Sequence, residues 1–292
     1  MGGRTTDMVE FEVPDVDYTR YSNRQLVAVP LAVLALALLI IAGYFVITGK
    51  PVALGLAFTG GTELRIGTTD SPQEIRATFD ADVESINPVG SAENEYIVTF
   101  QPTDGDIGQQ ARDAGYEVIS NQERSASFGA DSQRQAVIGV VVAFLGMSVL
   151  VFLLFRTFVP SIAVVASAFS DIVIPVALMN VFGIELSLGT VAALLMLIGY
   201  SVDSDLLLNN HVLRRRGDFY ESTYRAMRTG VTMTLTSISA MTAMTIVATF
   251  FGIELLSSIG LILVFGLVAD LMNTYLLNVS LLRYYKYEAI SA

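Results

Sequence analysis

The chain has 292 residues, 53% of them hydrophobic, and a mean hydropathy of +0.57, which excludes an ordinary soluble domain and puts it among integral membrane proteins. It contains no cysteine, so disulfides and thiolate metal sites are excluded as well. The net charge is −11, carried with fifteen arginines and only two lysines, Lys50 and Lys286. This acidic, lysine-poor composition is the kind expected of a halophile; an acidic domain outside the membrane is the simpler alternative.

Residues 1–25 read as a short, acidic cytoplasmic tail, with Arg20 and Arg24 close to the first apolar run. Residues 26–48 are nearly uncharged and, at about 1.5 Å rise per residue, cross a hydrocarbon core of about 30 Å. The run exceeds the apolar part of a signal peptide, about 7 to 15 residues, and no clear small-residue cleavage site follows, so it is expected to stay as a membrane anchor.

Residues 49–134 change to mixed polar sequence holding half of the acids, 14 of 28. GTELRI at 61–66 alternates as a strand, and Ser71, Pro72 and Glu74 supply an N-cap, a first-turn proline and an early acid for a helix to about Phe79. Strands are expected near 83–86 and 95–100. A second helix, capped by Thr103 or Asp104, runs to Ala114 and stops at Gly115, before a final strand at 116–120. The order β-α-β-β-α-β is the ferredoxin-like arrangement.

Five further apolar runs occupy 135–155, 158–182, 186–210, 230–250 and 255–282, within a bundle at 135–283 followed by a tail at 284–292. Six spans put Arg20, Arg24, Arg156, the Arg214, Arg215, Arg216, Arg225 and Arg228 group, Arg283 and Lys286 on one side, which the positive-inside rule makes cytoplasmic. The fold class is therefore an α-helical polytopic membrane protein, with six transmembrane helices, both termini inside, and one external α+β ferredoxin-like domain between spans one and two. FGIEL occurs at 182–186 and again at 251–255, each time ahead of a long span, and suggests duplicated helical hairpins.

Candidate chemistry rests on acids inside the spans: Asp171 in the third, Asp203 and Asp205 in the fourth, and Asp270 in the sixth. Carboxylates there cost roughly 2.5 to 3.5 kcal/mol to insert and mark function by default. As hydration changes with conformation, such groups can exchange protons. Residues two apart point about 200° apart on a helix, so only one of Asp203 and Asp205 can face the bundle interior. Asp205 shares a face with Ser201 and Asn209; Asp203 shares one with Gly199 and Leu207. Geometry of this kind does not choose between them. In the fifth span Thr232, Thr236 and Ser239 lie on one side, suited to close helix contacts or a polar relay. Arg228, at its inner end, is a candidate ion-pair partner for Asp203 or Asp205, or an ordinary positive-inside residue. His211 is a lone histidine without acidic chain neighbours. No metal site, nucleotide site, cofactor or enzymatic centre is indicated: Gly60-Gly61 lacks the spacing and following Lys of a phosphate loop.

Two stretches carry a family resemblance. AFTGGTEL at 57–64, containing Phe58, Thr59, Gly60, Gly61 and Thr62, resembles the motif after the first span of the SecF protein-export membrane proteins. GYSVDSDLLLNNHVL at 199–213 resembles that family's fourth-span signature, especially in its archaeal members. The resemblance covers nearly the whole chain. It implies membership of the RND superfamily of proton-driven transporters, action with a homologous SecD beside the Sec translocon, contact with translocating polypeptide and membrane lipid but not nucleic acid, and use of the proton-motive force to assist export. The bacterial pattern is similar to Gly-Tyr-Ser-Ile-Asn-Asp-Thr, which sets its acid opposite Ser204, whereas this chain has an acid on either side. Asp203 falls where SecD carries its acid, and the family's fifth-span arginine aligns with Thr232. The resemblance thus favours Asp203 for coupling, with Asp205 in packing or as a second proton site. Two other readings fit the same residues: a stand-alone RND-type lipid or small-molecule transporter, and a structural translocon subunit without proton coupling.

Overall fold

The computed structural model describes residues 17–89, 94–214 and 218–289. Residues 1–16 of the expected tail, Arg215 and Arg216, and residues 290–292 lie outside the described residues, as does the side chain of Arg214.

Helix α1 (Asn23–Thr48) opens on a capping box in which Ser22 and Gln25 satisfy each other's backbone N–H groups, and closes on Gly49 in the left-handed conformation. A short turn of helix, α2 (Leu56–Thr59), leads into β1 (Gly61–Gly67), α3 (Pro72–Thr78), β2 (Val83–Pro88), β3 (Glu95–Phe100), α4 (Ile107–Asp113) and β4 (Glu117–Arg124). The four strands form one antiparallel sheet in the order β2-β3-β1-β4. Ser71 and Glu74 make the capping box of α3. Asp106 caps α4, not Thr103 or Asp104, because only its carboxylate reaches the Gln109 N–H, at 2.8 Å. Leu64, Ile66 and Phe100 on one sheet face are buried against Ile75, Ile107 and Ala111 of the two helices. Burial of each large side chain here is worth about 1.5–3 kcal/mol.

The remaining helices are α5 (Ala126–Phe155), α6 (Phe158–Phe182), α7 (Leu188–Arg214), α8 (Phe219–Phe250) and α9 (Glu254–Met272). The last continues through a π-helical segment (Asn273–Asn278) into α10 (Val279–Tyr284). Together with α1 they make six helical runs long and apolar enough to cross a membrane. α5 starts nine residues ahead of the expected span, so one continuous helix joins the sheet to the bundle. α8 likewise starts eleven residues early, at Phe219, capped by Asp218.

The bundle is not uniform. α6 and α7 have about half of their apolar windows buried, 56% and 50%, whereas α5 and α8 have 6% and 11%, so α6, α7 and α9 form the centre and the others the periphery. Outward-facing Leu39, Val46, Ile47, Val142 and Leu153 are the lipid-facing apolar surface expected of such a periphery. The two FGIEL stretches do the same job: Gly183 and Gly252 both take φ 68°, while Ile184 and Ile253 donate to the carbonyls of Met179 and Ala248 five residues back, a Schellman stop before α7 and before α9.

The Phe58 to Thr62 motif is structural in its local contacts. Phe58 is buried, and its carbonyl accepts from Gln133 Nε2 of α5 at 2.7 Å. Gly61, at φ 123°, passes so close to β3 that a Cβ would lie 2.1 Å from the Phe100 carbonyl oxygen. The motif therefore seats the sheet on the start of α5.

Candidate functional site

The buried polar residues of the bundle gather where α6, α7 and the π-helical segment meet. Helix α7 advances 100° per residue, so Ser201, Asp205 and Asn209, four apart, form one stripe. All three are buried, at no more than 1% exposure. Asp203 points the other way and is exposed, with no hydrogen bond or ion pair among the described residues. The resemblance favours Asp203 for coupling; in the structure Asp205 lies inside the bundle and Asp203 on its outer face.

Three carboxylates converge. Asp171 Oδ2 accepts from Ser201 Oγ at 2.6 Å and from Ser167 Oγ at 3.4 Å, and its Oδ1 accepts from Asn273 Nδ2 at 2.6 Å. Asp205 Oδ1 accepts from Asn278 Nδ2 at 2.7 Å and Thr274 Oγ1 at 2.8 Å. Asp270 Oδ1 accepts from Ser204 Oγ at 2.7 Å, and Thr274 Oγ1 stands 3.3 Å away. Every one of these bonds comes from a neutral side chain; Arg228 supplies none of those that hold Asp205.

Backbone irregularity accompanies the cluster on two sides. Pro175 of α6 has no N–H to offer the Asp171 carbonyl four residues back. Opposite it, α9 loosens into the π-helical segment that carries Asn273, Thr274 and Asn278, a feature that recurs at functional sites. Those three residues were missed in the sequence, although Asp270, Thr274 and Asn278 repeat every fourth position and so mark one polar stripe on the last span.

Thr232, Thr236 and Ser239 stay out of the cluster. They are exposed on α8 and donate to the carbonyls of Arg228, Thr232 and Leu235 on their own helix, each at 2.8 Å. His211 Nδ1 lies 2.9 Å from the Leu207 carbonyl of its own helix. Among the described residues no group of three or more acidic or histidine side chains is arranged to hold a metal ion.

A second polar feature lies at the sheet end of the bundle. The open face of the sheet and the α6–α7 and α8–α9 connections enclose a cleft of about 820 Å³, into which Glu63, Glu185 and Glu254 project. Desolvation raises the Glu63 carboxyl above its ordinary range, and the charge of Glu254 adds to this. Glu185 is raised by desolvation and then by the charges of Glu84, Glu254 and Glu63.

Comparison with known proteins gives the family and the fold. Residues 106–288 match the family model "Protein export membrane protein SecD/SecF, C-terminal". The chain is 70% identical over 288 residues to the protein-export membrane protein SecF of Haloferax volcanii, covering 97% of this chain and all of that protein. It is 66% identical to the SecF of Haloquadratum walsbyi, with the same coverage. Both organisms agree with the halophile reading of the composition. The structure resembles the crystal structure of SecDF, a translocon-associated membrane protein from Thermus thermophilus, with a TM-score of 0.72 at 20% identity. That match covers 94% of this chain and 39% of the other, so the chain spans about two fifths of that protein. The chain belongs to the SecF family of protein-export membrane proteins.

Proposed function

We propose that this SecF subunit assists polypeptide export through proton exchange at Asp171, Asp205 and Asp270, driven by the proton-motive force. The observation that carries the reading is Thr274 Oγ1, 2.8 Å from Asp205 Oδ1 and 3.3 Å from Asp270 Oδ1. A hydroxyl has one proton to donate. While Thr274 donates to Asp205, its oxygen can accept from a protonated Asp270, so the hydroxyl can hand a proton from one carboxyl to the other. One charge crossing 100 mV supplies about 2.3 kcal/mol, enough to bias a two-state equilibrium about fiftyfold.

The subunit works with a SecD-like half beside the Sec translocon. Asp203 supports this: a carboxylate on the outer face of a span is costly in lipid and is relieved when a second bundle covers it. The Thermus SecDF chain, more than twice the length matched here, has room for such a half. By the positive-inside rule the ends bearing Arg20, Arg24, Arg156, Arg225, Arg228 and Arg283 face the cytoplasm. The ferredoxin-like α+β unit between the first two spans then lies outside, where it can meet emerging polypeptide.

Replacement of Asp205 and Asp270 separately by Asn tests the reading in cells that depend on this subunit. Loss of export with an assembled complex is the expected result. Normal export in both variants leaves only a structural role, and autonomous flux of a lipid or small molecule through the purified chain makes it a stand-alone transporter.

A further inference from the structure

The first span begins and the last span ends on a common pocket. Ser22, Asn23 and Arg24 at the head of α1, with Arg283, Tyr284 and Tyr287 at the close of the final run, line a cavity of about 620 Å³, a size typical of small-ligand sites. The two spans run Asn23–Thr48 and Glu254–Tyr287, so the pocket sits where both apolar stretches give way to polar chain, the level of lipid head groups. Arg283 is partly buried, and each of its three nitrogens donates once, to Asn23 Oδ1, to the Tyr18 carbonyl at 2.9 Å and to the Tyr21 carbonyl at 2.9 Å. These bonds tie residues 18–22 across the end of the bundle and, among the described residues, leave two of the five guanidinium N–H groups unused. All three acceptors are neutral. Arg24 is exposed and makes no hydrogen bond, and neither arginine has a carboxylate within ion-pair distance among the described residues.

We infer that this pocket binds the phosphate of an anionic membrane lipid, with Arg24 and Arg283 on its oxygens. Guanidinium groups suit phosphate because their paired donors match two oxygens at once. The charges agree. Two cations without a counter-ion face a cavity whose described lining holds no acid, and a partly buried charge is costly until it is paired. Basic pockets between spans at the membrane surface take lipid head groups for this reason. What adjoins the pocket favours a lipid over a free phosphate. Tyr284 and Tyr287 are exposed, and tyrosine settles where apolar chain meets water because its ring is apolar and its hydroxyl wet. Leu31 and Leu38 follow Arg24 at seven-residue steps, two turns each, and both are exposed. One face of α1 therefore carries the arginine at its head and an apolar strip beyond it, on which acyl chains can lie. The bound lipid would hold residues 18–22 against the end of the last span, since Arg283 contacts both. The site stands apart from the proton-exchange reading: neither arginine bonds to Asp171, Asp205 or Asp270.

The test is native mass spectrometry of the purified full chain in detergent, titrated with phosphatidylglycerol, with phosphatidylcholine, whose choline cancels the phosphate charge, or with soluble glycerol phosphate. One saturable phosphatidylglycerol per chain is expected, held about tenfold or more tighter than either of the others. Arg24→Gln removes a side chain that makes no bond in the fold; it is expected to weaken lipid binding about fivefold and to leave the lipid-free thermal midpoint unchanged. Arg283→Lys keeps the charge, loses the fork, and is expected to weaken binding as well. If that variant fails to fold, Arg24→Gln decides. Arg156→Gln, at an exposed arginine outside the pocket, controls for general attraction to anionic lipid. Equal binding of the two lipids, unchanged affinity in Arg24→Gln, or an equal loss in Arg156→Gln overturns the site. Glycerol phosphate binding as tightly as phosphatidylglycerol makes it a site for soluble anions and overturns the lipid assignment.

Discussion

Asp205 and Asp270, on adjacent helices, share a single hydroxyl: Thr274 Oγ1 lies 2.8 Å from one carboxylate and 3.3 Å from the other. Replacing Thr274 by Val keeps the volume and removes the bridge. Export assistance is expected to fall toward the level seen without a membrane potential, by up to about fiftyfold. Pulse-chase export in cells, with and without a protonophore, checks this. An undiminished protonophore effect in the Val variant would sink the relay.

Asp203 makes the opposite prediction to Asp205. Because it faces outward, Asp203→Ala is expected to leave the thermal midpoint of the isolated subunit unchanged while weakening its hold on a SecD-like half. A contact worth about 1–2 kcal/mol between spans corresponds to about five- to thirtyfold in affinity. Co-purification at graded detergent concentrations measures it.

Two glycines separate backbone strain from close approach. Gly61→Ala adds a Cβ 2.1 Å from the Phe100 carbonyl oxygen at φ 123°, whereas Gly115→Ala at φ 87° meets nothing within 4 Å. The second is expected to cost about 1–2 kcal/mol from the left-handed conformation alone. The first is expected to cost more and to loosen the sheet from α5. Limited proteolysis near Ala126, compared between the two variants, distinguishes them.

Gly260 lets α9 approach α8: a Cβ there would sit 2.2 Å from Thr245 Oγ1 and 3.2 Å from the Met241 carbonyl. Gly260→Val is therefore expected to destabilise the bundle by about 1–3 kcal/mol through overpacking. Gly139→Val, where nothing lies within 4 Å, serves as the neutral control in the same melting experiment.

The acidic cleft gives stability a pH dependence. Glu63 and Glu185 both hold their protons more tightly in the folded chain than at the ordinary value of 4.5. The folded state therefore binds more protons than the unfolded one, and stability falls as pH rises. The contribution is complete below about the ordinary value and is lost as pH climbs through each group's elevated one. Glu63→Gln and Glu185→Gln are expected to flatten this slope in thermal melts recorded from pH 4 to 7, a window of roughly three units above the carboxylate range.

Much of the fold was legible because its signals are local. Long apolar runs announce spans, Ser71-Pro72 with Glu74 announces a helix start, and alternation at Glu95–Phe100 announces a strand. The extended starts of α5 and α8 were less visible, since Ala126–Arg134 and Phe219–Thr229 are polar turns of helix continuing beyond the apolar stretch, and hydropathy does not register them. The α4 cap moved from Asp104 to Asp106 for a related reason: several acids in one loop are equivalent until one carboxylate reaches an N–H.

The site divides the same way. Sequence spacing put Ser201, Asp205 and Asn209 on one face of α7 and Asp203 on the other, because the helical repeat alone dictates that separation. It could not say which face turns inward, since that depends on where α6 and α9 pack. Only the tertiary structure brought Thr274 and Asn278 from the far end of the chain against Asp205, 69 and 73 residues away, and Asn273 against Asp171. Class, spans and family follow from patterns within a few turns of chain; the burial of Asp205 and the exposure of Asp203 follow from packing, because a buried carboxylate persists only where neighbouring helices supply its donors.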